Sequence, residues 1–182
     1  MRIEPIEIFD KQGRRVILRS ACEDDAKDLI EYLKKTAKET PYLLREEDEI
    51  NLVVEDEKGF INTRLEMDNA LMMVAYVEGK HVGCCSFLPV APFKRLAHRC
   101  GISIALYQEY CGCGIGSIML ETALRYAKEV DYEQAELEVV SSNTKAIKLY
   151  EKYGFKKYGT KPDNMKYSDG SYVSMDWMMV KL

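Results

Sequence analysis

The sequence has no apolar run approaching the roughly 18 residues that a helix needs to cross a bilayer. Its first residues, MRIEPIEIFDKQGRR, hold no apolar block of the kind that directs export. A spanning helix is therefore excluded, no membrane partner is expected, and the expected location is cytoplasmic. Histidine is scarce, His81 and His98 being the two in the chain, and none of the six cysteines (Cys22, Cys84, Cys85, Cys100, Cys111, Cys113) is paired at Cys-x-x-Cys spacing. No metal site is expected from such a set, and without an export signal the cysteines read as reduced thiols. Lys and Arg (26) are outnumbered by Asp and Glu (30), for a formal net charge of −4. Binding to phosphate backbones needs an excess of clustered positive charge, so nucleic acid is not an expected partner. Repeats, low-complexity segments and linkers are absent as well.

What remains is the balance of a folded protein. With 47% apolar and 31% charged residues over 182 positions, the chain can build a hydrophobic core without disulfide or metal staples, and residues 1–182 are expected to form one domain. Arg15 to Arg19 alternates as a strand does. A helix is expected from about Glu23 to Lys38, because Ala26, Leu29, Ile30, Leu33 and Ala37 recur at spacings of three and four and Pro41 follows. A second helix spans about Glu55 to Met67, its acidic first turn suited to the helix dipole. Leu71 to Val77 and His81 to Leu88 flank Glu78-Gly79-Lys80 as a hairpin. A strand at Arg99 to Tyr107, a helix from Gly114 or Ile115 to about Lys128, a strand at Ala135 to Val140 and a short helix at Asn143 to Lys152 come next. Two late strands, Phe155 to Tyr158 and Tyr172 to Val180, are joined by the turn-rich KPDNMKYSDGS. This order predicts an α/β (α+β) fold, a mixed sheet covered by helices.

Tyr110-Cys111-Gly112-Cys113-Gly114-Ile115-Gly116-Ser117 lies between a strand and a helix. Glycine at alternate positions removes side chains from one edge of the turn, so backbone amides and the positive end of the helix can hold a phosphate or pyrophosphate. The same glycines could instead make a tight turn and nothing more. A nucleoside-triphosphate loop would need Lys followed by Ser or Thr after the last glycine, and here Ile118 follows Ser117. A dinucleotide turn stays open, since Glu136 or Glu138 lies about where a ribose-binding acid would, although Ser117 occupies the place of the third glycine.

These residues resemble the GCN5-related N-acetyltransferases, whose central motif is Arg or Gln, two residues, then Gly-x-Gly or Gly-x-Ala at a strand-to-helix turn. A second family signature, Asn-x-x-Ala-x-x-Leu-Tyr-x-Lys-x-Gly-Phe, appears in full as Asn143, Ala146, Leu149, Tyr150, Lys152, Gly154 and Phe155. The resemblance covers roughly residues 15–182 and is strongest over 98–158. It is closest to the bacterial branch that includes the ribosomal-protein alanine acetyltransferases. It implies a largely antiparallel central sheet of about six to seven strands with about four helices. It also implies acetyl transfer from acetyl-coenzyme A, as cosubstrate without a metal, to a primary amine of a small molecule or a protein N-terminus; a homodimer stays open.

Carried over residue by residue, Ala105 and Leu106 pair with the pantetheine arm. Cys111, Gly112, Cys113, Gly114, Ile115, Gly116, Ser117 and Asn143 hold the coenzyme, and Tyr150 protonates the leaving sulfur. One departure is Cys111, where the family has Arg or Gln. What that position gives a pyrophosphate should come largely from its amide, so weakened binding is expected. Tyr150 could alternatively be a core aromatic, and Asn143 reads equally as a helix N-cap. Glu138 and His98 are weighed as general base without assignment. An acetyl-coenzyme A sensor without catalysis and a dinucleotide-binding oxidoreductase remain the alternatives.

Overall fold

The computed structural model describes all residues from Met1 to Leu182. One sheet contains β1 (Ile6–Phe9), β2 (Arg15–Ser20), β3 (Leu71–Val77), β4 (Lys80–Pro89), β5 (Arg99–Leu106), β6 (Gln134–Val140), β7 (Lys156–Lys166) and β8 (Tyr172–Lys181), in the spatial order β1-β2-β3-β4-β5-β6-β8-β7. Four helices cover it: α1 (Ala26–Glu39), α2 (Val54–Glu66), α3 (Ile115–Glu129) and α4 (Thr144–Lys152). All neighbouring strands are antiparallel except β5 and β6. A parallel pair needs a connection that returns to the same end of the sheet, and α3 supplies it. No helix is long and apolar enough to cross a membrane.

The mixed, largely antiparallel sheet with four helices is the expected architecture, with eight strands where about six to seven were expected. The added strand, β1, is short and pairs with β2 at the sheet edge. At the other edge β7 runs through KPDNMK, which reads as turn from sequence. Pro162 is tolerated there because an edge strand can spare a ladder N–H, and the register shifts between Lys161 and Met165 around Asp163 at φ 49°.

The two faces of the sheet are used differently. On the front, α1 and α2 lie over β3 and β4; Phe60 and Arg64 of α2 share a crevice with Met72, Ser86 and Leu88. On the back, α3 and α4 cover Ile104 and Leu106 of β5, and a Cβ on Gly116 would stand 3.0 Å from Leu106, 3.7 Å from Leu149 and 3.8 Å from Ile104. The core lies mostly on this back side and joins Met73, Cys85, Phe87 and Ile102 of the sheet to Ile115, Met119, Leu120 and Ala123 of α3.

Asp25 pins the start of α1 to the sheet. Its buried carboxylate accepts from both terminal nitrogens of Arg19 on β2 at 2.6 Å, from Tyr76 Oη on β3 at 2.6 Å and from the Cys22 amide at 2.8 Å. Burial alone would raise its pKa, but these donors outweigh it and hold the group at about 2, against an ordinary 3.8. A depressed carboxylate contributes stability above its unfolded pKa and loses it as the pH falls through the folded one. Stability should therefore decline between pH 3.8 and about 2. Asp25→Asn should remove that part of the acid dependence and cost about 3 kcal/mol at neutral pH, because Arg19 is left half-buried without its partner. Denaturant titrations of both proteins across this range test it; an unchanged acid dependence in the variant would contradict the assignment.

Candidate active site

The parallel pairing of β5 with β6 covers Arg99↔Gln134, Cys100↔Ala135 and Gly101↔Glu136 and then stops, although β5 continues to Leu106 and β6 to Val140. Beyond Gly101 the strands part into a wedge. Each free half is tied to its outer neighbour. β5 keeps its antiparallel ladder with β4 as far as Leu106↔Gly83. β6 stays paired with β8, and Asp176 of β8 accepts from Ser141 beyond the end of β6 and from Thr160 of β7, both at 2.8 Å. At the apex, Arg99 of β5 grips Glu136 of β6 through Nε and, at 2.7 Å, through Nη2.

Which backbone groups face the wedge follows from strand parity. The Val90 amide donates to the Arg99 carbonyl at 3.3 Å and the Tyr107 amide to the Val82 carbonyl at 2.9 Å, so odd-numbered residues of β5 turn their backbone toward β4. Ile102, Ile104 and Leu106 turn theirs toward the gap. Of Ala105 and Leu106, the two residues expected to pair with a pantetheine arm, Leu106 turns its backbone to the gap. The Ala105 carbonyl instead accepts a 2.9 Å bond from the buried Tyr32 hydroxyl of α1.

The glycine turn closes the open end of the wedge. Gly112 (φ 83°) and Gly114 (φ 94°) occupy the left-handed region that side chains disfavour, and Gly114 is the N-cap of α3. The Cys111 amide donates to Gln108 and the Ser117 and Ile118 amides fold back on Gly114. Between them, the amides of Gly112, Cys113, Gly114, Ile115 and Gly116 donate to no protein acceptor. Such a row at a helix N-terminus is a site for an anion. Cys111 itself is exposed, with its amide already used. Burial raises the pKa of its thiol, and Lys145 on α4 pulls in the opposite direction.

Across the wedge, Asn143 caps α4 by accepting from the Ala146 amide at 3.2 Å. About two turns on, Tyr150 is 7% exposed, with its ring 5.8 Å from that of Phe155. Its hydroxyl has no protein partner. Burial, with a smaller contribution from Cys85, pushes the phenol well above its ordinary value, so it stays protonated at neutral pH. Cys85 is the register partner of Ile104, whose backbone faces the gap, so Tyr150 meets the wedge from behind.

On the front face an open cavity of ≈ 450 Å³ sits over the wedge, bounded by Gly101 and Ile102 of β5, Glu136 and Glu138 of β6, and the stacked rings of Tyr158 and Trp177. Glu138 is exposed on its rim, while His98 stands at the closed end, where its carbonyl takes the Glu133 and Gln134 amides. Glu136 is committed to Arg99, which removes it as a free ribose-binding acid, and a sheet with a single parallel pair is not a dinucleotide fold.

Glu57 stands out in the acidic first turn of α2. It is 6% exposed, its carboxylate has no hydrogen bond, and burial raises its pKa against a weaker opposing pull from Arg45. It lies over the front face close enough to Cys84, the register partner of Ala105, to perturb that thiol. Nothing in the local sequence separates it from Glu55 and Asp56, which are exposed. No group of three or more His, Cys, Asp or Glu is placed to hold a metal ion.

Comparison with known proteins adds the following. The model of the acetyltransferase (GNAT) family matches residues 30–155. An N-alpha-acetyltransferase of Saccharolobus solfataricus is 31% identical over 166 residues, 84% of this chain and 87% of that protein. An N-alpha-acetyltransferase of Sulfurisphaera tokodaii is 45% identical over 56 residues, so this chain spans 34% of its length in that match, which takes in 30% of this chain. Among solved structures, a GNAT-family acetyltransferase of Streptococcus pneumoniae superposes with a TM-score of 0.87 at 26% identity, over 92% of this chain and 99% of that one.

Proposed function

The chain belongs to the GNAT acetyltransferase family, and from that premise we propose that it transfers the acetyl group of acetyl-coenzyme A to a primary amine by direct attack in a ternary complex. The observation that carries the reading is the wedge with five unpartnered amides at one end and an unpartnered, protonated tyrosine at its back. An extended pantetheine fits as a missing strand beside β5, and its pyrophosphate fits the row at Gly112–Gly116. The amine comes from the front-face cavity. The names of the two archaeal relatives favour an α-amino group as acceptor.

The amine nitrogen attacks the thioester carbon, and negative charge gathers on its oxygen, where a backbone amide of the gap-facing set can meet it. The carbon–sulfur bond then breaks. Tyr150 gives its proton to the departing thiolate, and the ammonium proton of the acceptor goes to a carboxylate. Glu57 and Glu138 are front-face carboxylates without a protein partner, the first near β4 and the second on the rim of the cavity. Glu57 suits the task better, because a buried carboxylate with a raised pKa binds a proton more readily than an exposed one. A coenzyme sensor without catalysis would have no use for either group.

Tyr150→Phe should keep acetyl-coenzyme A binding, measured by the thermal shift it produces, while lowering turnover by roughly ten- to a thousandfold. Parallel loss of affinity and rate would make the hydroxyl a binding contact and end its role as the acid. Because burial lifts this phenol, its ionisation should not limit the rate below about pH 10. Glu57→Gln should remove the acid limb of the kcat profile, which in the native enzyme rises as the pH passes the raised pKa of Glu57. A limb that survives this change and disappears in Glu138→Gln would move the base to the cavity rim.

A further inference from the structure

At position 111, where the resemblance gives Arg or Gln, the chain has Cys, and a cation reaches the turn from elsewhere in the chain. We infer that Lys11, at the tip of the β1–β2 hairpin, supplies the positive charge beside the coenzyme pyrophosphate; the inference rests on the reading that the amides of Gly112–Gly116 receive that group.

The hairpin tip is built and docked. Asp10 is buried, accepts from the Gln12 amide at 2.8 Å and the Arg14 amide at 2.9 Å, and holds the Arg14 side chain at 2.7 Å. Gly13 at φ 77° closes the turn. The tip then attaches to the glycine turn at three points. The Lys11 amide donates to the Cys113 carbonyl at 2.9 Å, and the Arg14 guanidinium lies 4.9 Å from the centre of the Tyr110 ring. The Lys11 stem crosses Gly114, so that a Cβ there would meet its Cγ at 3.4 Å and its Cε at 3.6 Å.

The Lys11 stem is therefore held against the turn that carries the unpartnered amides. Its ammonium forms no ion pair, because Asp10, the acid next to it in sequence, is held by Arg14. Lys11 is exposed, so nothing in the fold requires its charge to sit there. Lys145, at the start of α4, is near enough to Cys111 to pull its thiol pKa down. Lysines from two distant parts of the chain, Lys11 and Lys145, are thus brought near the glycine turn. Lys11 differs from the family arginine in reaching the phosphates from outside the loop, which leaves position 111 free to be cysteine.

Calorimetric titration of wild type, Lys11→Ala and Lys11→Arg with acetyl-coenzyme A, dephospho-coenzyme A and S-acetylpantetheine tests the assignment, with melting temperatures as a folding control. Lys11→Ala should weaken acetyl-coenzyme A and dephospho-coenzyme A by about three- to tenfold, as expected for one partly exposed charge-assisted contact. S-acetylpantetheine carries no phosphate and should bind both proteins equally. Lys11→Arg should restore affinity, and the difference should shrink as salt is raised. Unchanged affinity in Lys11→Ala overturns the inference, as does equal weakening of all three ligands. Loss confined to acetyl-coenzyme A would assign Lys11 to the 3′-phosphate and overturn the pyrophosphate contact. Failure of the underlying reading looks different, since Gly114→Val would then bind acetyl-coenzyme A as wild type does.

Discussion

The site depends on two parallel strands that pair for three residues and then part. A gap in a sheet is costly, because each backbone group left without a partner in a dry interior loses a hydrogen bond's worth of free energy. The fold limits that cost by tying each strand to its outer neighbour. The Arg99–Glu136 pair closes the apex, Tyr32 anchors β5 from the front, and Asp176 of β8 ties the end of β6 to the middle of β7. The open edge of β5 is left with a regular row of amides and carbonyls. That row is what an extended amide-bearing ligand can complete, as one more strand would.

Electrostatics completes what the backbone geometry begins. The turn at Gly112–Gly116 offers donors without side chains in the way, since Cα–H at alternate positions lets an anion approach the amides. Charge comes from outside the turn, from the docked hairpin and from the start of α4. On the chemical side of the wedge, burial sets the protonation states. It holds Tyr150 protonated and makes Glu57 a readier proton acceptor, both shifts arising from exclusion of water rather than from specific ion pairs. The proposed acid and base thus lie on opposite faces of one sheet.

Much of this was legible in the sequence where chemistry is local. The alternating glycines, the Asn143–Phe155 signature with Tyr150 inside it, and the strand before the turn are contiguous patterns, and each stands where the pattern implied. What escaped the sequence depends on contacts between distant segments. Strand β1 is four residues of alternating Ile and Glu or Phe, too short to announce itself before it pairs with β2. Pro162 hid the extension of β7, since edge position is a property of the sheet. The parity that turns Leu106 rather than Ala105 toward the gap depends on the register with β4. Glu57 and Lys11 look like any surface charge until α2 and the hairpin are docked.

Amide hydrogen exchange resolved to single residues, with and without acetyl-coenzyme A, tests the wedge most directly. Ile104, Leu106 and Gly112–Gly116 should exchange readily in the free protein, since their amides have no protein acceptor, and should slow together when the coenzyme binds. The amides of Ser103, Ala105 and Tyr107, which face β4, should be slow in both states. Coenzyme binding that leaves the Ile104, Leu106 and Gly112–Gly116 amides as fast as before, or slows a different edge of the sheet, would contradict the account.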